Sequence, residues 1–180
     1  MSSSMEFCKR PIIITDVETT GLDPGFHEII DIGAIMVDHD LNEIARIDVK
    51  IKPDHIYNAS PEALAINGYT PEAWVHAVPQ PSAAHLFQSF SATGILCAWN
   101  ITFEYSFLTD LFAKTGVPNR MDYHRIDIPS IAWMALPRMK KFSMDAVGAY
   151  FCLMPEPKPH RGIGGAEYEL AILRCLRGLR

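Results

Sequence analysis

Pro11-Ile12-Ile13-Ile14-Thr15 is a short apolar, β-branched run that predicts a buried strand. Glu28 to Asp38 is a second apolar run, suited to a central strand, and His39-Asp40-Leu41-Asn42 reads as a turn. Ala45, Ile47, Val49 and Ile51 then alternate with Arg46, Asp48, Lys50 and Lys52, the pattern of a half-exposed strand beside it. The three runs make a meander closed by Pro53. Ser60-Pro61-Glu62 and Thr70-Pro71-Glu72 each read as a helix start, a cap residue followed by proline at the first helical position. Ser82 to Ser91 reads as a helix and Gly94 to Trp99 as a fourth strand. Asn100 or Thr102 then caps a helix on which Phe103, Phe107 and Leu111 recur four residues apart. Tyr123 to Ile126 is a candidate fifth strand, with helices expected over 127–136, 143–151 and 165–177. Strands first, then alternating helices and strands, predict an α/β domain with helices on both faces of a mixed sheet.

The chemistry concentrates where the first strand ends. Asp16-Val17-Glu18-Thr19-Thr20-Gly21-Leu22 follows the first apolar run directly. Side chains alternate along a strand, so Asp16 and Glu18 point the same way. Open α/β sheets gather ligands at the carboxyl ends of their strands. Two neighbouring carboxylates repel, and burying them is costly unless a cation or donor compensates. All-oxygen ligation suits Mg²⁺ or Mn²⁺.

With this segment go Glu28-Ile29-Ile30-Asp31-Ile32-Gly33-Ala34, the Ser60 to Gly68 stretch, Trp99-Asn100-Ile101-Thr102-Phe103-Glu104 with Phe107-Leu108, and His160-Arg161-Gly162-Ile163-Gly164-Gly165-Ala166. In this order and at these separations they resemble the motifs of the DnaQ-like DEDD 3′→5′ exonucleases, in the subgroup with a catalytic histidine. The resemblance spans Ile12 to about Leu176. It implies a ribonuclease H-like fold with a five-stranded mixed sheet. It implies two-metal hydrolysis of 3′ ends of single-stranded DNA or RNA to nucleoside monophosphates. Two cations about 3.5–4 Å apart activate water, stabilise the leaving oxygen and neutralise the phosphate.

By the same resemblance Asp16 bridges both metals, Glu18 binds the metal that activates water, and Glu104 stands where the family usually has Asp. Glutamate is one methylene longer, an extra reach that a role mediated by water tolerates. His160 is the general base, since imidazole accepts a proton near neutral pH. Thr19, Thr20 and Gly21 would hold the 3′-terminal nucleotide, and Leu22 would be a wedge against its base. Asn100 and Arg161 complete the expected substrate contacts. Phe103 and Phe107 either stack on a base or belong to the core. Asp127 is either a supporting acid or a helix cap.

One acid is missing. Five residues after His160 the family has Asp, and here Gly165 stands in its place. Glu167 points to another side, and Glu169 lies one turn further on, about 6 Å along a helix axis. Gly162, Gly164 and Gly165 read as a flexible loop. The expectation is a weakened metal site that prefers Mn²⁺. Gly165→Asp is expected to raise the rate at least roughly tenfold, about 1.4 kcal/mol of barrier. The alternative is an impaired module that keeps the fold and binds nucleic acid or a protein partner.

Composition changes the picture only at the edges. A chain of 180 residues, 48% hydrophobic, suits one domain over 11–180 behind a flexible tail over 1–10. No apolar run nears the roughly 18–20 residues needed to cross a membrane, and no membrane contact is expected. Cys8, Cys97, Cys152 and Cys175 are scattered, which favours reduced thiols in the cytoplasm over a zinc site or disulfides. The net charge is −5, yet from Arg138 onward the chain carries 8 Lys/Arg against 4 Asp/Glu. Arg138, Lys140, Lys141, Lys158 and Arg161 are therefore either phosphate contacts or a solvated surface. A homodimer and a polymerase are the protein partners considered.

Overall fold

The computed structural model describes residues 6–179. The strands are β1 (Ile12–Thr19), β2 (Ile29–Val37), β3 (Glu43–Lys50), β4 (Ile95–Ala98) and β5 (Arg125–Asp127). The helices are α1 (Pro61–Asn67), α2 (Gln80–Ser91), α3 (Ile101–Thr115), α4 (Ile128–Ala135), α5 (Met144–Tyr150) and α6 (Gly162–Arg177). The strands form one sheet in the order β3-β2-β1-β4-β5. β1 to β3 are the expected antiparallel meander, and β4 and β5 join parallel to β1. β1 is therefore central and buried on both faces, as its apolar run requires.

Alternation along β1 sorts the two cores. Ile13 and Val17 face α2 and α3, where Phe87, Leu96, Leu108 and Phe112 fill one cluster. Ile12 and Ile14 face the other way, into a cluster with Ile35, Cys97, Val147, Leu170 and Leu173 under α4, α5 and α6. Asp16 and Glu18 share the parity of Ile12 and Ile14, so the sheet aims them at α6.

Several boundaries differ from the sequence expectation. α6 begins at Gly162 rather than Gly165, so the three glycines lie in its first turn and not in a flexible loop. Thr70 does accept a cap bond, from the Ala73 amide at 3.1 Å, but Pro71 to His76 form turns only. Within that stretch Trp74 buries its ring and donates from Nε1 to the Ile30 carbonyl at 2.7 Å. β5 is shifted toward Asp127. Of the expected tail, residues 1–5 lie outside the described residues. Phe7–Lys9 form a 3₁₀ turn, and Arg10 is ion-paired with Asp122. No helix among the described residues is long and apolar enough to cross a membrane.

Candidate active site

The end of β1 is fixed by its own side chains. Asp16 lies opposite Gly33 and Glu18 opposite Asp31, and the register slips between Glu18 and Thr19. Past that slip Thr19 Oγ1 donates to the Gly21 carbonyl at 2.6 Å, and Thr20 Oγ1 accepts from the Glu28 amide at 2.9 Å. Asn67 Nδ2 and the Ser60 amide donate to the Thr19 and Thr20 carbonyls. The turn is rigid, and Leu22 projects from it 82% exposed. Thr19 Oγ1 is engaged as a donor and Thr20 Oγ1 as an acceptor, and both residues are buried behind the exposed Leu22.

Glu104 enters from the first turn of α3, 5% exposed, with the Val17 amide on its carboxylate and Oε2 unpartnered. That helix starts from Asn100, whose left-handed backbone (φ 74°) turns the chain sharply out of β4. Asn100 is exposed, and its side chain makes no cap bond.

α6 approaches unusually closely. A Cβ on Gly33 would lie 1.9 Å from the Gly162 carbonyl carbon, and one on Gly162 would lie 2.3 Å from the Gly33 nitrogen. Backbone therefore packs on backbone. One turn later, a Cβ on Gly165 would lie 2.3 Å from Asp16 Oδ2. Any side chain at 165 would meet Asp16 in this arrangement, which corrects the expectation that an aspartate there simply restores a ligand.

Two further acids lie beside these residues: Glu169, which the sequence places one turn past Gly165, and Glu156, which it did not single out. Glu169 is 1% exposed; its Oε1 accepts from the Trp99 amide at 2.7 Å and its Oε2 has no partner. Glu156 is 9% exposed; its Oε2 meets His160 Nδ1 at 3.1 Å and its Oε1 has no partner. Glu18, Glu156 and His160 each bring one ligand atom within 4.8 Å of the others. Glu167 does point elsewhere, to Arg46.

The electrostatics follow. Burial, and then Glu104, Glu169, Glu18 and Glu156, push the Asp16 carboxyl well above its usual range. Burial and then Glu156 and Asp31 push Glu18 to about 8, against Arg161. Burial and then Asp48 push Asp31 to about 7, while Arg161, Lys50 and the Gly162 amide oppose. Glu104 and Glu169 are raised by burial, and Glu104 further by Glu169. Asp31, Glu104, Glu156 and Glu169 carry orphaned carboxylate oxygens, and a cluster of this kind requires either protons or cations. The donor set, mostly oxygen with one imidazole, fits hard divalent ions of the Mg²⁺ or Mn²⁺ kind.

One other expected contact is corrected and the rest are placed. Phe107 is 1% exposed and belongs to the core, so it offers no face to a base. Phe103 is half-buried against it, with ring centroids 4.7 Å apart. Arg161 donates to the Asn67 and His160 carbonyls and stacks 4.9 Å from the Trp74 ring centroid, so it holds the loop before α6. Asp127 caps α4 through Ser130. Arg138, Lys140, Lys141 and Lys158 are exposed.

Known proteins resemble this chain in sequence and in fold. The exonuclease family model RNase_T matches residues 13–173. A DNA polymerase III PolC-type protein of Thermotoga petrophila is 30% identical over 168 residues, 93% of this chain and 12% of that protein. One from Streptococcus sanguinis is 32% identical over 114 residues, 63% of this chain and 8% of that protein. The chain thus spans a small part of the curated relatives it matches. The structure of E. coli exonuclease I in complex with a dT13 oligonucleotide superposes with a TM-score of 0.81 at 17% identity, covering 94% of this chain and 41% of that one. At that identity the likeness establishes the ribonuclease H-like exonuclease fold.

Proposed function

The chain belongs to the RNase_T exonuclease family, and from that premise we propose that it is a metal-dependent 3′→5′ exonuclease acting on single-stranded ends. The observation that carries the proposal is the convergence of Asp16, Glu18 and Glu104, with Glu18 within reach of Glu156 and His160 and with Glu104 Oε2 buried and unpartnered. Asp16, Glu18 and Glu104 would hold divalent cations, Mg²⁺ or Mn²⁺, which supply charge neutralisation at the phosphate and an acidified water.

His160 acts as the base. Glu156 engages Nδ1, which fixes the tautomer and leaves Nε2 to take the proton from water. The ring is held at the rim by the bond from the His160 amide to the Ile66 carbonyl at 3.2 Å. The imidazolium that forms faces Glu156 and Glu18, which stabilise it. The O3′ leaving group departs in line, releasing a nucleoside monophosphate. Leu22 lies across the terminal base and disfavours paired ends. Single-stranded DNA is the favoured substrate, because exonuclease I binds dT13 and the matched relatives are DNA polymerases. RNA is the second candidate. A polymerase subunit is the protein partner that those relatives suggest. The four free cysteines suit a reducing, cytoplasmic setting.

Gly165 favours a second reading, a module that binds nucleic acid without turnover. An assay on 3′-labelled single strands with Mg²⁺, Mn²⁺ or EDTA separates the two. Release of labelled mononucleotide that Asp16→Asn abolishes supports the enzyme. Retained strand binding without release supports the module.

A further inference from the structure

Three observations stand outside the family pattern. Position 165 carries no acid and has no room for one beside Asp16. Glu169 sits one turn further along α6, yet it is buried and bridges back to the Trp99 amide at the end of β4. Glu156 lies in the proline-rich loop before α6, and its Oε1 is 3.9 Å from where a Cβ on Gly164 would be. Both glutamates thus fill the space around the first turn of α6.

We propose that Glu156 and Glu169 are metal ligands that together replace the acid absent at position 165. Each keeps one oxygen in a protein contact and leaves the other buried and unpartnered. For Glu156, Oε2 meets His160 and Oε1 is free. For Glu169, Oε1 takes the Trp99 amide and Oε2 is free. An orphaned carboxylate oxygen in a buried site is a standing cost that a cation removes. The two acids serve different sides of Asp16. Glu156 joins Glu18 within the 4.8 Å cluster. Glu169, held at the end of β4 by the Trp99 amide, is among the charges that raise both Glu104 and Asp16. Glu18, Glu156 and His160 thus offer one group of ligand atoms, and Asp16 lies under the charges of Glu104, Glu169, Glu18 and Glu156. A glutamate reaches further than an aspartate. Glu169 can therefore serve the site from one turn beyond Gly165, while α6 packs as tightly as Gly33, Gly162 and Gly165 permit.

The assignment rests on the metal-site reading above, and the test separates the two. Mn²⁺ binding is measured by calorimetry on the wild type, Asp16→Asn, Glu156→Gln, Glu169→Gln and the surface control Glu167→Gln. Melting in EDTA is measured alongside. Glu156→Gln and Glu169→Gln are expected to lose one Mn²⁺ or to weaken binding at least tenfold, with Glu167→Gln unchanged. In EDTA both are expected to melt at or above the wild-type temperature, because each removes a buried acid that without metal must either take up a proton or repel its neighbours. The metal-induced rise in melting temperature should shrink. Wild-type affinity and stoichiometry in both variants, with Asp16→Asn defective, overturn this proposal alone. Wild-type binding in Asp16→Asn as well overturns the metal site itself.

Discussion

Gly165 lies against the Asp16 carboxylate with no space between them: a Cβ there would come within 2.3 Å of Oδ2. The glycine is thus a packing requirement of α6 on β1. An isolated reading of the motif makes it only a lost ligand.

Gly165→Ala is therefore expected to destabilise the fold by about 1–3 kcal/mol through overpacking. Gly165→Asp is expected to behave no better and to weaken Mn²⁺ binding, since its carboxylate must displace Asp16. Denaturant midpoints and calorimetric Mn²⁺ titrations check this. A Gly165→Asp protein that gains rate and affinity tenfold would restore the missing-ligand explanation.

Gly33→Ala tests the same seat from the other side. Its methyl would run into the backbone of Gly162, which cannot rotate away. The fold should lose at least about 2 kcal/mol, and metal binding should fall with it. A urea midpoint equal to wild type would contradict the backbone contact.

Stability without metal should fall as pH rises. Glu18 is pushed to about 8 and Asp31 to about 7, both above the range near 4 of an unfolded carboxyl. The folded state therefore holds more protons than the unfolded one between these limits. The stability those protons provide is complete below pH about 4 and is lost as pH climbs through 7 and 8. Melting temperatures in EDTA should decline over pH 5 to 8, and Mn²⁺ should flatten the decline. A rise over that window would reverse the sign.

Leu22→Ala should leave stability within about 0.5 kcal/mol, because the side chain is 82% exposed. The expected effect is on substrate choice: several-fold less discrimination between frayed and paired 3′ ends. Unchanged discrimination on matched duplex and single-strand substrates would remove the wedge.

The legible part of this molecule was its local part. β1, β2 and β3 follow from apolar runs and alternation, and Asp16 and Glu18 share a face because strands alternate. Glu104 was legible from its motif. Glu156 was not, because it lies between Pro155 and Pro157 in a stretch with no periodicity. Glu169 was set aside because a full helical turn looks too far along the axis, a judgement that ignores the reach of a long side chain. Phe107 and Arg161 carry the chemistry of nucleic-acid contacts, but the core and the Trp74 ring claim them. Thr70-Pro71-Glu72 has a helix-start sequence and makes its cap bond, but the chain forms only turns over 71–76 while Trp74 is drawn into the core.

The most direct test is degradation of a 5′-labelled linear single strand, with a circular single strand beside it, in Mn²⁺. The account predicts a ladder shortening one nucleotide at a time, an intact circle, and no reaction with EDTA or in Asp16→Asn. Cleavage of the circle, or equal degradation by Asp16→Asn, would contradict it.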